Sequence, residues 1–261
     1  MQKIISWNVA SIRARMAALT QLLEQEQPDI VLLQEIKAED NTFPFFDLRL
    51  LGYNAVICGQ KSYNGVAILA KTSINDIQTN LLEEPDNPQA RFIQATINDL
   101  TIISVYVPNG NPPEKDPQDQ TKLRYKLKWM DALNNHIASL LSANKNFVLG
   151  GDFNVIEHDS DVYNPDIFRD NALMLPVVRQ KYAELTSQAV TNTIRLKNPD
   201  PHTYSFWDFQ MGAWARNNGM LLDALFVNNA LTDHVQQAGV LKDVRGWAQT
   251  SDHAPIYLTL K

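Results

Sequence analysis

Ile30-Val31-Leu32-Leu33-Gln34-Glu35 is a short apolar run that ends on a carboxylate. A run of this length without polar alternation reads as a strand buried on both faces. Just before it, over residues 13–26, Met16, Leu19, Leu22 and Leu23 recur at helical spacing, and Pro28 stops the helix. The arrangement returns further along. A long amphipathic helix over about 120–143 carries Leu123, Leu127, Met130, Leu133, Ile137 and Leu140 on one face. It leads into Phe147-Val148-Leu149, which ends in Gly150-Gly151-Asp152-Phe153-Asn154. Two such halves packed sheet against sheet bring Glu35 and Asp152 to one edge.

Residues 3–7 read as an opening strand, and further strands are expected at 54–58, 65–70, 92–97, 101–106, 203–206, 221–227 and 255–260. Strands alternating with helices predict an α/β fold. A loop rich in Pro and Asn, Val107-Pro108-Asn109-Gly110-Asn111-Pro112-Pro113, precedes the long helix. The chain shows no low-complexity linker and no short repeat.

Composition narrows the classes. The 261 residues, 44% hydrophobic and 20% charged, suit a soluble globular chain with a substantial core. The net charge of −6 argues against coating nucleic acid by bulk charge. Local basic contacts remain effective, because salt screens charges beyond ~8 Å. Cys58 is the only cysteine, so no intramolecular disulfide is available. The opening Met1-Gln2-Lys3-Ile4-Ile5-Ser6-Trp7-Asn8 reads as too short and too polar for a signal peptide, and no run approaches transmembrane length. A cytoplasmic protein with no membrane partner is expected.

Polar residues that directly follow buried strands are where α/β folds build sites. Five places qualify: Asn8; Glu35; Tyr106 with Asn109; Asp152 with Asn154; and Asp252 with His253 before the last strand. Singly, each has an ordinary explanation as a turn former, a cap, a solvated strand end or a half-buried aromatic. As a set, oxygen ligands without a Cys or His cluster suit a hard cation such as Mg²⁺ or Mn²⁺ rather than zinc. The Asp–His neighbours and the separate carboxylates add acid–base and charge-stabilising groups for displacement at phosphate. No glycine-rich loop for nucleoside triphosphates is present.

Ser6-Trp7-Asn8-Val9, Leu33-Gln34-Glu35-Ile36-Lys37, Tyr63-Asn64-Gly65-Val66-Ala67, Tyr106-Val107-Pro108-Asn109-Gly110, Gly151-Asp152-Phe153-Asn154, Ser205-Phe206-Trp207, Leu222-Asp223 and Ser251-Asp252-His253-Ala254-Pro255 run in order along the chain. In these stretches the sequence resembles the exonuclease III/AP endonuclease branch of the endonuclease/exonuclease/phosphatase superfamily. The resemblance implies a DNase I-like four-layer α/β sandwich, two packed mixed β-sheets flanked by helices, with one catalytic domain over residues 1–261. It implies a Mg²⁺-dependent DNA repair phosphodiesterase that cuts 5′ to abasic sites and removes 3′-terminal nucleotides or blocking groups. Glu35 would be the principal metal ligand, with Asn8 and Asp252 close to one or two ions of Mg²⁺, for which Mn²⁺ could substitute. Asp152 would orient or deprotonate the attacking water and Asn154 would help hold it. His253, oriented by Asp223, would contact the scissile phosphate, and Tyr106 would contact it or assist the leaving oxygen.

Arg13, Lys37, Tyr63, Arg91 and Asn109 fall where the family touches the DNA backbone. By the same resemblance Phe206 and Trp207, with Met220 and Leu221, would lie near the pocket for an extruded abasic sugar. Some positions depart from the family. Ala10-Ser11 stand where Asn-Gly or Asp-Gly is usual, Leu221 replaces the usual arginine, and Met220 stands where some members carry an aromatic. The metal and phosphate residues are intact. A monomer is expected, acting on double-stranded DNA with abasic sites or 3′ ends, in the cytoplasm and at the nucleoid of a bacterial-type cell. The alternatives are a relative acting on RNA, inositol phosphate or phospholipid, a 3′ exonuclease with weak abasic-site activity, and a non-catalytic binding relative.

Overall fold

The computed structural model describes residues 1–82, 89–198 and 200–261. The first third carries β1 (Gln2–Asn8), α1 (Met16–Glu26), β2 (Ile30–Gln34), α2 (Phe45–Leu50), β3 (Asn54–Cys58), β4 (Val66–Ala70) and β5 (Asn75–Gln78). β6 (Phe92–Ile97), β7 (Leu100–Tyr106), α3 (Thr121–Ser142) and β8 (Phe147–Asp152) follow. The last part adds α4 (Pro176–Thr186), β9 (Val190–Asn192), α5 (Thr193–Lys197), β10 (Asp223–Asn228), β11 (Val235–Val240) and β12 (Ile256–Leu260).

The strands form two six-stranded sheets, ordered β11-β12-β1-β2-β4-β3 and β5-β6-β7-β8-β10-β9. Each contains one parallel pair bridged by a helix, β1 with β2 and β7 with β8, among antiparallel neighbours. Successive side chains of a strand point to opposite faces, so each apolar run feeds two cores. Ile30 and Leu32 join Ile102 and Val148 between the sheets. Val31 and Leu33 face outward with Ile5 and Trp7 onto Leu19, Leu22 and Leu23 of α1. On the far side, Phe147 and Leu149 pack onto Trp129, Met130, Leu133 and Ile137 of α3 and Tyr182 of α4. Each fully buried apolar side chain of this kind contributes roughly 1.5–3 kcal/mol. The layers run helix, sheet, sheet, helix, the four-layer α/β sandwich expected from the sequence.

The two halves meet at a common edge. Asn8 and Gln34 are ladder partners at the ends of β1 and β2. Tyr106, Asp152 and Asp223 lie side by side across β7, β8 and β10. A polar layer sits beneath them: Gln34 Nε2 donates to Ser6 Oγ at 3.2 Å and to Ser104 Oγ, in the other sheet, at 3.0 Å.

Some boundaries differ from expectation. The first helix starts at Met16, not at residue 13. Ala10 and Ser11 take positive φ (46° and 102°), and the N–H groups of Ser11 and Ile12 bond to the carbonyls of Glu35 and Ile36 instead. Residues 203–206 form no strand. The N–H groups of Ser205 and Phe206 both donate to the Met220 carbonyl, at 2.8 and 2.9 Å, which no regular ladder allows. Phe206 makes only isolated bridges to Met220 and His253. β5, β9, β11, α2, α4 and α5 go beyond the sequence expectation. β5 is exposed along its length and β11 carries the exposed pair Gln236 and Gln237, so neither shows an apolar pattern.

Candidate active site

Asn8 is fully buried and joins the two sheets. Its Nδ2 donates to Glu35 Oε1 at 3.0 Å and to Asp152 Oδ2 at 2.9 Å. Its Oδ1 accepts from the Ala10 N–H at 3.1 Å, and its carbonyl accepts from Ser251 Oγ at 2.6 Å. Ser251 thereby ties the loop bearing Asp252 and His253 to the end of β1. Glu35 and Lys37 stand just past β2 at φ +48° and +49°, a region that non-glycine residues rarely occupy. Bonds from the N–H groups of Ile36 and Lys37 to the carbonyls of Gly65 and Asn64, 3.1 and 3.0 Å long, hold this turn. Lys37 Nζ lies 2.9 Å from Glu35 Oε2. Burial opposes ionisation of Glu35, but the Asn8 amide and the Lys37 ammonium outweigh it and hold the carboxyl below its usual range.

Asp152 ends β8 with both oxygens engaged, Oδ2 by Asn8 and Oδ1 by the Asn154 N–H at 2.9 Å. His253 presents Nε2 at 3.7 Å from Asp152 Oδ2 and Nδ1 at 2.8 Å from Asp223 Oδ2. Ser205 Oγ donates to the same Asp223 oxygen at 2.6 Å and accepts the N–H groups of Leu222 and Asp223, each at 3.2 Å. Burial alone would lower the His253 pKa, but Asp223 and Asp152 reverse that and push it up to about 10. The ring is therefore cationic at neutral pH. Burial pushes Asp152 up to about 7, with His253 opposing and Asp223 and Glu35 reinforcing the rise. A buried carboxylate that exchanges its proton near neutrality is suited to act as a base.

Asn154 follows at φ +48°. Its Nδ2 donates to the Val107 carbonyl at 3.0 Å, and its Oδ1 accepts from Asn109 Nδ2 at 3.3 Å. Tyr106 is hydrogen-bonded to Glu35. Burial, reinforced by Glu35 and Asp152, raises its pKa well above the usual phenol range, so it keeps its proton. Arg91 lies over the Tyr106 ring, its guanidinium carbon 4.6 Å from the centroid, and donates to the Tyr106 carbonyl at 3.2 Å.

The profile of the Endonuclease/Exonuclease/phosphatase family matches residues 5–253. The chain belongs to this family. Exodeoxyribonuclease III of Haemophilus influenzae is 30% identical over 270 residues, covering 99% of this chain and 100% of that protein, which puts the chain in the exonuclease III/AP endonuclease branch. Among solved structures, the 3′ phosphatase NExo from Neisseria, bound to a product DNA hairpin, is 31% identical with a TM-score of 0.94 and full coverage of both chains. An AP endonuclease from Archaeoglobus fulgidus is 30% identical with a TM-score of 0.93, again over 100% of each chain.

Asn8, Glu35, Tyr106, Asp152, Asn154, Asp223 and His253 lie together in one place. Asp252 is half-buried beside them, its Oδ1 accepting from Ser251 Oγ at 3.2 Å. Among the described residues no group of three or more His, Cys, Asp and Glu could hold a metal ion by itself. The donor set nonetheless fits a hard cation that keeps most of its water, because Glu35 is ionised and its side chain is still 19% exposed. Of the expected DNA-facing residues, Arg13, Tyr63 and Asn109 are exposed and Lys37, Arg91 and Phe206 are half-buried. Trp207, expected near the pocket, does not line it. It is fully buried, with its ring edge-on to Trp214 and its indole N–H on Asn217 Oδ1 at 3.2 Å, so a duplex cannot reach it. Adjacent aromatics can be platform or core; here Phe206 faces the His253 ring, 4.9 Å away, and Trp207 faces inward. Met220 and Leu221 are 8% and 6% exposed and shape the surface from beneath. Sequence reasoning gave no role to Ser205, Ser251, Gln34 or Lys126, although the two serines and the glutamine lie within the family stretches.

Proposed function

We propose that this protein is a Mg²⁺-dependent DNA repair phosphodiesterase, working as one domain over residues 1–261. It would hydrolyse the backbone 5′ to abasic sites and remove 3′-terminal nucleotides or blocking groups. The observation that carries this reading is Asn8, which holds Glu35 and Asp152 from two sheets at 3.0 and 2.9 Å beside the Asp152–His253–Asp223 chain. The names of the relatives support it: an exodeoxyribonuclease III, a 3′ phosphatase with product DNA, and an AP endonuclease.

Glu35 would hold one or two Mg²⁺ or Mn²⁺ ions, with Asn8 and Asp252 beside them. The cation supplies charge neutralisation at the phosphate and the leaving oxygen. Asp152 takes a proton from water as the water oxygen bonds to phosphorus. Asn154, already fixed by Val107 and Asn109, steadies that water and the phosphate. The bond from phosphorus to the 3′ oxygen breaks, and the protonated Tyr106 phenol donates to that oxygen. Cationic His253, fixed by Asp223, offsets charge growing on the phosphate. Arg13, Lys37, Tyr63, Arg91 and Asn109 would grip the backbone and position a duplex without reading sequence. An abasic nucleotide needs no base unpairing to be extruded, and Phe206, backed by Met220 and Leu221, would receive it.

The protein would act as a monomer in the cytoplasm, at the nucleoid. Among the described residues no helix is long and apolar enough to cross a membrane. A second reading, 3′ processing with weak abasic cleavage, is favoured by the buried, apolar Leu221 in place of the family's usual arginine. Two duplexes incubated with Mg²⁺ separate the readings, one with a single synthetic abasic site and one with a 3′ phosphate. Cleavage of both at similar rates supports the first, and processing of the 3′ phosphate alone supports the second. Hydrolysis of small phosphate esters with neither duplex touched overturns both.

A further inference from the structure

Lys126 of α3 is fully buried, an uncommon place for an ammonium unless its hydrogens are all engaged. Its Nζ donates to the backbone carbonyls of Asn109 at 3.0 Å, Asn154 at 2.6 Å and Ala172 at 3.1 Å. An ammonium has three N–H groups, so none is left over. The three carbonyls belong to separate loops, after β7, after β8 and ahead of α4. The packing is close: at Gly110, where φ is +88°, an added Cβ would sit 2.7 Å from Lys126 Cδ. Two of the tethered residues, Asn109 and Asn154, also bond to each other through their side chains at 3.3 Å. Asn154 keeps its left-handed backbone with its N–H on Asp152, its side chain on Val107 and its carbonyl on Lys126.

We propose that Lys126 is a positioning residue: its ammonium locks the loops carrying Asn109 and Asn154 so that their side-chain amides meet the substrate phosphate in one fixed geometry. Burial keeps Lys126 itself off the substrate. The proposal rests on the reading of the site given above. The test is kinetic, on a duplex with a 3′ phosphate in the presence of Mg²⁺. Lys126→Met should lower kcat roughly 10–100-fold, the scale for a displacement of about 1 Å in a reacting group, with KM within about threefold of wild type. In the Lys126→Met/Asn154→Ala double variant the two losses should not add, because residues acting through one unit couple. A kcat for Lys126→Met within about threefold of wild type, a loss confined to KM, or full additivity overturns the proposal. Asn154→Ala with wild-type kcat overturns the assignment of Asn154 instead, so the two failures are distinct. Should Lys126→Met not fold, the wild-type protein decides. Burial pushes the Lys126 pKa down to about 7, with Asp152 opposing the fall, so the ammonium is fully populated only below neutrality. Three bonds to carbonyls slow exchange with water, so the Lys126 ammonium protons, assigned by their loss in Lys126→Arg, should be visible by nitrogen-15 NMR at about pH 5.5. Their absence overturns the tether.

Discussion

Asp152 Oδ2 and His253 Nε2 stand 3.7 Å apart, and each sets the protonation of the other. With Asp152 pushed up to about 7 and His253 up to about 10, a carboxylate faces an imidazolium just above neutrality. The base form of Asp152 accumulates as pH rises, and a bound cation brings this raised pKa back down. The kcat should therefore climb between about pH 5 and 7 and fall near pH 10 as His253 loses its proton. A profile unchanged from pH 5 to 8 would contradict these roles. Asp152→Ala should cut kcat by at least ~10²-fold while DNA binding persists, the scale for loss of a positioned base; turnover within a few-fold of wild type sinks that role. Asp152 and Glu35 were legible because each stands at the end of a buried strand, and His253 because its Asp-His pair stands just ahead of the last strand. Ser205 and Ser251 were not, since only the fold reveals that one carries Asp223 and the other carries Asn8. Lys126 left a trace in the sequence, four residues before Met130 and seven before Leu133 on the apolar face of α3. A lysine there reads as solvated until three carbonyls are found around it.

β8 delivers Asp152 through two glycines with different duties. Gly150 leaves room for Leu225 and Leu32, whose methyls would lie 2.5 and 2.8 Å from an added Cβ, so the sheets pack closely behind the site. At Gly151 an added Cβ would lie 1.9 Å from the Val105 carbonyl oxygen of β7, a clash with backbone that no rotamer relieves. Gly151→Ala should therefore part β7 from β8, destabilise the protein by about 2 kcal/mol or more, and lower kcat by displacing Asp152. Chemical denaturation checks this, and a loss under about 0.5 kcal/mol would show that the strand accommodates the methyl. β2, β4 and β8 were readable as strands because layers on both faces bury all of their residues. β5 and β9 lie at sheet edges, and β5 buries nothing. β11, also an edge, has a register shift between Val235 and Gln237. Without burial there is little pressure for an apolar pattern, and the sequence is silent there.

The repeated helix-then-strand pattern gives the molecule two sheets whose parallel pairs end at one edge, and the site is assembled between them from residues as far apart as Asn8 and His253. That convergence was legible because both halves carry the same pattern. The DNA-facing surface was less so, because exposure depends on the packing around each residue. Phe206 and Trp207 are neighbours in sequence, yet one borders the site and the other is core. The net charge of −6 leaves local contacts, not bulk attraction, to hold a duplex. The most direct test uses one duplex carrying a single abasic site and a labelled 3′ phosphate, incubated with Mg²⁺ and then with EDTA. A nick immediately 5′ to the site together with release of the 3′ phosphate, both abolished by EDTA and restored by Mg²⁺, is the predicted result. Neither product forming, or both persisting in EDTA, would contradict a metal-dependent DNA phosphodiesterase.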